Sequence, residues 1–189
     1  MIYESVYWKK DLLKLSRKLT KRKRSGIWDE ADHADFEKEI MIGFYIVRKL
    51  SEAQKLSNET ISTKLQGFKI PSNGKKINHL SISQYPEYYD FENLTQAKLD
   101  IKLIWNNIIH SYVFSPFFSE EYNELLGIHF TSDSKRNICL FSLDIEVIID
   151  FFKKVGRDYP MHISMTFNET TGDYKFHSSS SPILENDEN

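Results

Sequence analysis

Residues 40–47 read Ile-Met-Ile-Gly-Phe-Tyr-Ile-Val and are apolar on nearly every side of a helical wheel. A surface helix carries one apolar stripe, whereas a helix that is apolar all round is buried. Asp29 or Asp32 can begin this helix as its N-cap residue, and the helical pattern continues to about Leu56. We therefore predict a central buried helix around which the other elements pack.

An amphipathic helix is predicted upstream of it, over residues 5–24. Its apolar face carries Trp8, Leu12, Leu15 and Leu19. Its opposite face carries five cations: Lys10, Lys14, Arg17, Lys18 and Lys21. The first 25 residues hold nine basic and two acidic side chains, while the remaining residues hold 16 basic and 25 acidic ones. The basic face is a candidate nucleic-acid contact. It can equally remain solvated, or dock on an acidic surface of the same chain or of a partner.

The chain beyond the central helix is predicted to alternate between strands and helices. The predicted elements, in order, are a strand at 64–70, a turn at 71–74, a short strand from Ile77, Leu80 and Ile82, a helix from Leu94 to Tyr112 capped by Thr95, a hairpin of 125–131 with 137–142, a helix from Ile145 to Val155, and a hairpin of 162–167 with 174–176. This order is typical of an α+β fold. We predict an N-terminal bundle of three helices, followed by a small antiparallel sheet with one covering helix.

Four segments follow from this pattern. They are the basic amphipathic helix at 1–26, a helical region with a short β excursion at 27–115, an α+β part packed on it at 116–177, and a disordered acidic tail at 178–189. Tyr85, Tyr88, Tyr89 and Phe91 form an aromatic cluster within the second segment. Stacking on bases is one role for such a cluster. Because few charges lie close by, we favour packing as its role.

Composition and motifs exclude several classes of protein. The chain has 189 residues and is 40% hydrophobic, which excludes a wholly disordered protein. It has no signal-peptide core and no apolar run of the roughly 18 residues that span a bilayer. We therefore expect a cytoplasmic protein that does not enter the membrane.

The Walker A, dinucleotide-binding and nucleophile-elbow patterns are missing, and the histidines lack the spacing of metal ligands. We expect no cofactor and no metal.

The candidate site lies near the end of the predicted third helix. Asn106 and His110 are four residues apart, so they are neighbours on one face of a helix. A histidine titrates near neutral pH and can serve as a general acid or base. An amide one turn away can orient the ring or hold a phosphate oxygen. The alternative is that both side chains form hydrogen bonds inside a packed interface.

This helix end resembles the C-terminal helix of HEPN domains, the higher eukaryotes and prokaryotes nucleotide-binding family. Their motif is an Arg, a polar residue, about three variable residues and a His. Asn106 and His110 match the second and last positions, and Trp105 stands where the Arg belongs. The resemblance covers about residues 30–112 and makes 27–115 the HEPN-like region. It implies a helical bundle, often dimeric, and in many members a metal-independent endoribonuclease of a toxin or antiphage system. Arg48 is the candidate substitute for the missing cation.

Two functional hypotheses follow. The first is a degenerate HEPN-like RNA-directed module of a bacterial defence or toxin-related system, which binds RNA with or without a residual endoribonuclease activity. His110, Asn106 and Arg48 would form its site, and the cations of the first helix would contact RNA. The second is a non-catalytic interaction module, acting as a homodimer or as a subunit of a complex. Its interface would be the helix face that carries Leu99 and Leu103.

Overall fold

The computed structural model describes residues 2–23, 26–121 and 123–179. Within these ranges the helices are α1 (Ser5–Arg22), α2 (Glu30–Glu52), α3 (Asn58–Ile61), α4 (Ile101–Ile109) and α5 (Ile145–Arg157). The strands are β1 (Lys64–Pro71), β2 (Thr95–Asp100), β3 (Ser111–Phe118), β4 (Leu125–Ser132), β5 (Cys139–Asp144), β6 (His162–Asn168) and β7 (Asp173–Ser179). Most of the predicted acidic tail lies outside the described residues, while Ser178 and Ser179 belong to β7.

The strands form one five-stranded antiparallel sheet and a separate two-stranded ribbon. The order in the sheet is β2-β1-β5-β4-β3, and β6 pairs with β7 in the ribbon. Helices α1, α2, α4 and α5 share one hydrophobic core with the sheet, and we call the sheet face that they cover the helix side. The α+β fold class is confirmed.

The central helix begins where the sequence indicates. The Asp29 side chain accepts from the backbone N–H of Asp32, and the Asp32 side chain accepts from that of Asp29, a reciprocal capping box. Ile40, Phe44 and Val47 are fully buried in the core. Gly43 lies where α2 meets two other helices. A methyl group at Gly43 would come within 2.5 Å of the Phe152 ring in α5 and 2.9 Å of Leu15 in α1. Only a residue without a side chain permits this approach.

The predicted third helix is wrong over its first residues. Thr95–Asp100 forms β2, which pairs with β1 from Lys69↔Thr95 to Lys64↔Asp100. The helix α4 begins only at Ile101, where the Asp100 side chain accepts from the Lys102 N–H at 2.7 Å. A six-residue segment has too little length to hold a helix by itself, and pairing with a distant strand decides its conformation.

Two further predictions are corrected by the sheet. The residues predicted as a short strand do not form one: Ile77 is a buried loop residue, and Ile82–Tyr88 is a 3₁₀ helix. Strand β3 runs across the boundary that was drawn between residues 115 and 116, and β1 pairs with β5. The β excursion therefore belongs to the same sheet as the C-terminal strands.

The sheet face opposite the helices, here called the outer face, is covered by the segment between β1 and β2. Ile70 and Leu140 on this face form a second core cluster with Tyr89, and Tyr85 and Phe91 pack against it. The Tyr89 hydroxyl donates to the Arg136 carbonyl at 2.6 Å. The packing role predicted for the aromatic cluster is confirmed, although the cluster covers the sheet and not the helices.

We expect Gly43→Ala to destabilise the protein. Overpacking a closed core costs about 1–3 kcal/mol, which exceeds the roughly 1 kcal/mol that Ala gains over Gly inside a helix. Urea denaturation of the variant measures the loss. The double variant Gly43→Ala/Phe152→Leu provides the control, because a smaller side chain at 152 makes room for the methyl group. Strictly additive effects of the two substitutions would show that the α2–α5 contact is not the cause.

Candidate functional site

Two of the candidate site residues, Asn106 and His110, line an open groove between α4 and the turn that joins β4 to β5. We call it the α4 groove, and its volume is about 510 Å³. Its helix wall and its turn wall are formed by Leu103, Asn106, Asn107 and His110 on α4, and by Ser132, Asp133, Ser134 and Lys135 on the turn. The sequence predicted the turn and the helix end separately. The fold brings them together.

The polar residues of α4 lie on the groove side because its apolar residues pack in the core on the opposite side. Ile104, Trp105 and Ile108 are buried against the sheet and α2. Asn106 and His110 are exposed on the groove side. The helix ends at His110, whose backbone N–H donates to the Asn106 carbonyl at 3.2 Å. Both predicted residues therefore reach solvent in one groove.

The side chains of Asn106 and His110 make no hydrogen bond to any described residue. Their amide and imidazole are thus free for a ligand, and the hydrogen bonds considered as the alternative are not made within the described part of the chain. Leu99, the other half of that interface, is buried in β2. Leu103 is half-buried and lines the α4 groove.

Asn107 holds the two walls of the groove together. It is buried, and its side-chain oxygen accepts from the Ser132 backbone N–H at 3.2 Å and from the Ser132 hydroxyl at 2.8 Å. Its side-chain nitrogen donates to the Leu103 carbonyl at 2.8 Å. Sequence reasoning gave Asn107 no role. The available signal was its position beside Ile104 and Ile108 on the buried side of the helix, where an amide must find partners.

Lys135 supplies the positive charge of the α4 groove. It is half-buried in the turn and forms no ion pair with the described residues. The neighbouring Asp133 is paired with Arg136, with Nη1 and Oδ1 2.8 Å apart. Arg48, the predicted cation, instead donates from Nε to Glu52 Oε1 at 2.7 Å on the surface of α2, and it does not line the groove. Nothing local in the sequence signals that Lys135 would line the same groove as His110, because the sheet places the two residues on opposite walls.

The five cations predicted on the basic face of α1 all stay exposed, and two of them form ion pairs. Lys18 pairs with Glu39 of α2 at 2.7 Å, and Lys14 pairs with Asp11 within its own helix at 2.9 Å. Lys10, Arg17 and Lys21 form no ion pair with the described residues. None of the five cations lines the α4 groove. Part of the basic segment has therefore docked on the acidic body of the same chain, one of the outcomes that the charge asymmetry allowed.

A comparison with known protein families, curated proteins and solved structures found no match. Among the helices of the described residues, none is long and apolar enough to cross a membrane. The same residues contain no group of three or more His, Cys, Asp or Glu side chains placed to hold a metal ion. The candidate site rests on its own geometry.

We expect Asn107→Ala to cost about 1–3 kcal/mol of stability, because it leaves the buried Ser132 N–H and hydroxyl without their acceptor. Asn106→Ala is the matched control, since it removes the same amide from an exposed position one residue away. We expect that variant to stay within about 0.5 kcal/mol of the wild type. Chemical denaturation of both variants gives the comparison. Equal losses would show that the Asn107 contacts do not hold the groove together.

Proposed function

We propose that this chain is an RNA-directed module in which the α4 groove receives a backbone phosphate. The observation that carries the proposal is the placement of three groups around one open groove: the imidazole of His110, the amide of Asn106 and the ammonium of Lys135. Lysine binds phosphate as a point charge, and an amide can donate to a phosphate oxygen. The resemblance of Asn106 and His110 to the HEPN motif supports the same substrate class.

The groove has only part of a metal-independent cleavage site. His110 can accept the proton of a ribose 2'-hydroxyl, whose oxygen then attacks the phosphorus while the bond to the 5'-oxygen breaks. Lys135 would stabilise the charge on the phosphate oxygens. The products are a 2',3'-cyclic phosphate and a 5'-hydroxyl end, and the 5'-oxygen takes its proton from the imidazolium. With lysine in place of the family's arginine, the bidentate contact is lost. We propose binding as the main activity and slow cleavage as a residual one.

We expect Lys135→Gln to weaken binding of a mixed single-stranded RNA several-fold. The slope of log affinity against log salt should fall by about 1, as for the loss of one phosphate contact. Fluorescence anisotropy between about 50 and 200 mM salt measures both quantities. Lys98→Gln, an exposed lysine on β2, is the matched control and should bind as the wild type does.

Cleavage is tested on the same RNA in the presence of a chelator. His110→Ala should abolish fragments that end in a 2',3'-cyclic phosphate and leave the affinity nearly unchanged. A wild-type chain that neither binds nor cleaves RNA would overturn the proposal. Binding that survives Lys135→Gln but is lost when the five α1 cations are neutralised would move the RNA contact from the α4 groove to α1.

A second candidate function, self-association, is favoured by the ribbon of β6 and β7. One face of the ribbon carries Ile163, Met165 and Phe167, and Tyr174 lies opposite Phe167 on the partner strand. All four side chains are more than half exposed. A two-stranded ribbon is marginally stable by itself in water, and a contiguous apolar face marks an interaction site. The same face on two copies would form a two-fold symmetric interface.

We expect Met165→Lys to dissociate such a dimer, because it places a charge at the centre of the apolar face. Thr166→Lys adds the same charge to the opposite face of the same strand and should leave the dimer intact. Sedimentation velocity over a concentration series distinguishes the two variants. A wild-type chain that stays monomeric at every concentration would rule out self-association through the ribbon.

A further inference from the structure

A second pocket lies on the outer face of the sheet and shares no lining residue with the α4 groove. We call it the outer-face pocket, and its volume is about 210 Å³. The residues that matter here are Phe68, Phe91, Phe117, His129, Ser142 and Asp144. Sites for drug-sized ligands measure about 300–1,000 Å³. This pocket therefore has room for one flat ring system and not for a whole nucleotide.

The pleat of β5 builds the floor of the pocket. Successive side chains alternate between the two faces, so Ser142 and Asp144 lie on the outer face while Leu143 joins the helix-side core. Ser142 pairs with Phe68 on one neighbouring strand and with His129 on the other. The floor is therefore polar along β5 and aromatic on both sides.

Gly127 leaves space for the Phe117 ring, which forms an aromatic wall of the pocket that also contains the Asp144 carboxylate. Gly127 pairs with Asp144 across the β4–β5 ladder. A methyl group at Gly127 would lie 2.7 Å from the Phe117 ring, so this ring occupies the space that a side chain would take. Phe117 is stacked on His129, with ring centroids 4.5 Å apart and planes inclined by 16°. Phe91 approaches the same histidine, at 5.4 Å between centroids.

The two polar groups of the floor lack partners in the described part of the chain. Asp144 occupies the N-cap position of α5, where an aspartate ordinarily accepts from the first turn of the helix, yet its side chain makes no capping hydrogen bond. The Ser142 hydroxyl likewise makes no hydrogen bond with a described residue. An ionised carboxylate is an acceptor only. The pocket thus offers a negatively charged acceptor beside flat aromatic surfaces.

His129 adds no charge to the pocket at neutral pH. Burial lowers the pKa of its imidazole to about 4, because the charged form loses its hydration. The Tyr85 hydroxyl lies 2.9 Å from Nδ1 and fixes the ring against rotation. The net charge on the floor is therefore the single negative charge of Asp144, which favours a ligand with N–H donors.

We propose that the outer-face pocket binds a guanine base, stacked against Phe91 and Phe117 and donating two N–H groups to Asp144. Among the four RNA bases, guanine alone presents a ring N–H and an amino group side by side on its Watson–Crick edge, which suits a carboxylate. Adenine and cytosine place an acceptor nitrogen beside their amino group, and uracil flanks its N–H with two carbonyl oxygens. This inference goes beyond the function proposed for the α4 groove and does not require it.

Isothermal titration of the full chain with GMP, inosine monophosphate and AMP tests the base assignment. Inosine monophosphate lacks only the 2-amino group, so we expect it to bind about tenfold or more weakly than GMP, the loss of one hydrogen bond to a charged acceptor. We expect no measurable binding of AMP. Equal affinity for GMP and AMP, or no binding of GMP, would overturn the proposal.

Variants assign the binding to the pocket. Asp144→Asn keeps the size of the side chain and should reduce GMP affinity tenfold or more, while Asp150→Asn makes the same charge change on the exposed face of α5 and should have no effect. Phe117→Leu should weaken GMP and inosine monophosphate by the same factor, because it removes stacking alone. Circular dichroism confirms that each variant is folded. Unchanged GMP affinity in folded Asp144→Asn would refute the site.

Competition between GMP and an oligonucleotide shows whether the natural ligand is a base of single-stranded RNA or a free guanine nucleotide. A guanosine-containing hexaribonucleotide that displaces GMP with higher affinity than GMP itself would identify single-stranded RNA as the natural ligand. An oligonucleotide that fails to displace GMP would identify a free guanine nucleotide instead. Lys135→Gln should leave GMP binding unchanged, so failure of the α4 groove proposal and failure of this one are separable.

Discussion

The close approach of three helices at Gly43 is the constraint on which the helix layer depends. Phe152 of α5 and Leu15 of α1 both fill the space where a side chain would stand. Because interiors are packed to crystal-like density, the three helices have little freedom to slide past one another. Helix α5 begins directly after Asp144, the last residue of β5 and a lining residue of the outer-face pocket. The same helix therefore packs on Gly43 in the core and continues from the strand that forms the floor of the outer-face pocket.

The α4 groove depends on the hydrogen bonds of one buried side chain, Asn107. Asn107 is an amide on the buried side of a nine-residue helix, and its oxygen accepts from both the backbone N–H and the hydroxyl of Ser132. This ties the helix end to the turn between β4 and β5, so that His110 and Lys135 face a common space. Buried amides of this type specify one arrangement, because any shift leaves several polar groups unpaired. The neighbouring Asn106 is exposed, and its side chain makes no hydrogen bond with a described residue, so it is available to bind a ligand.

The sequence predicted the elements whose signal is local. The α1 and α2 helices and the apolar helix after Asp144 were found because their periodicity and caps lie within the segments themselves. The sequence predicts helix where the structure forms β2, because these six residues have a weak preference of their own and become a strand only by pairing with β1. The same limit applies to the candidate site. Asn106 and His110 could be named from helical spacing, whereas Lys135 could be assigned only once the sheet had placed its turn beside α4.

The strand order of the sheet has a consequence for how the chain folds. Strands β1 and β2 form one antiparallel pair and β3 and β4 form another, and β5 lies between the two pairs and is hydrogen-bonded to β1 and β4. During synthesis both pairs can form while each still presents an open inner edge. Such edges invite association with other chains until the missing strand arrives. Closure of the sheet must await the emergence of β5, which ends at Asp144, from the ribosome, so the two strand pairs are joined only after both have been synthesised.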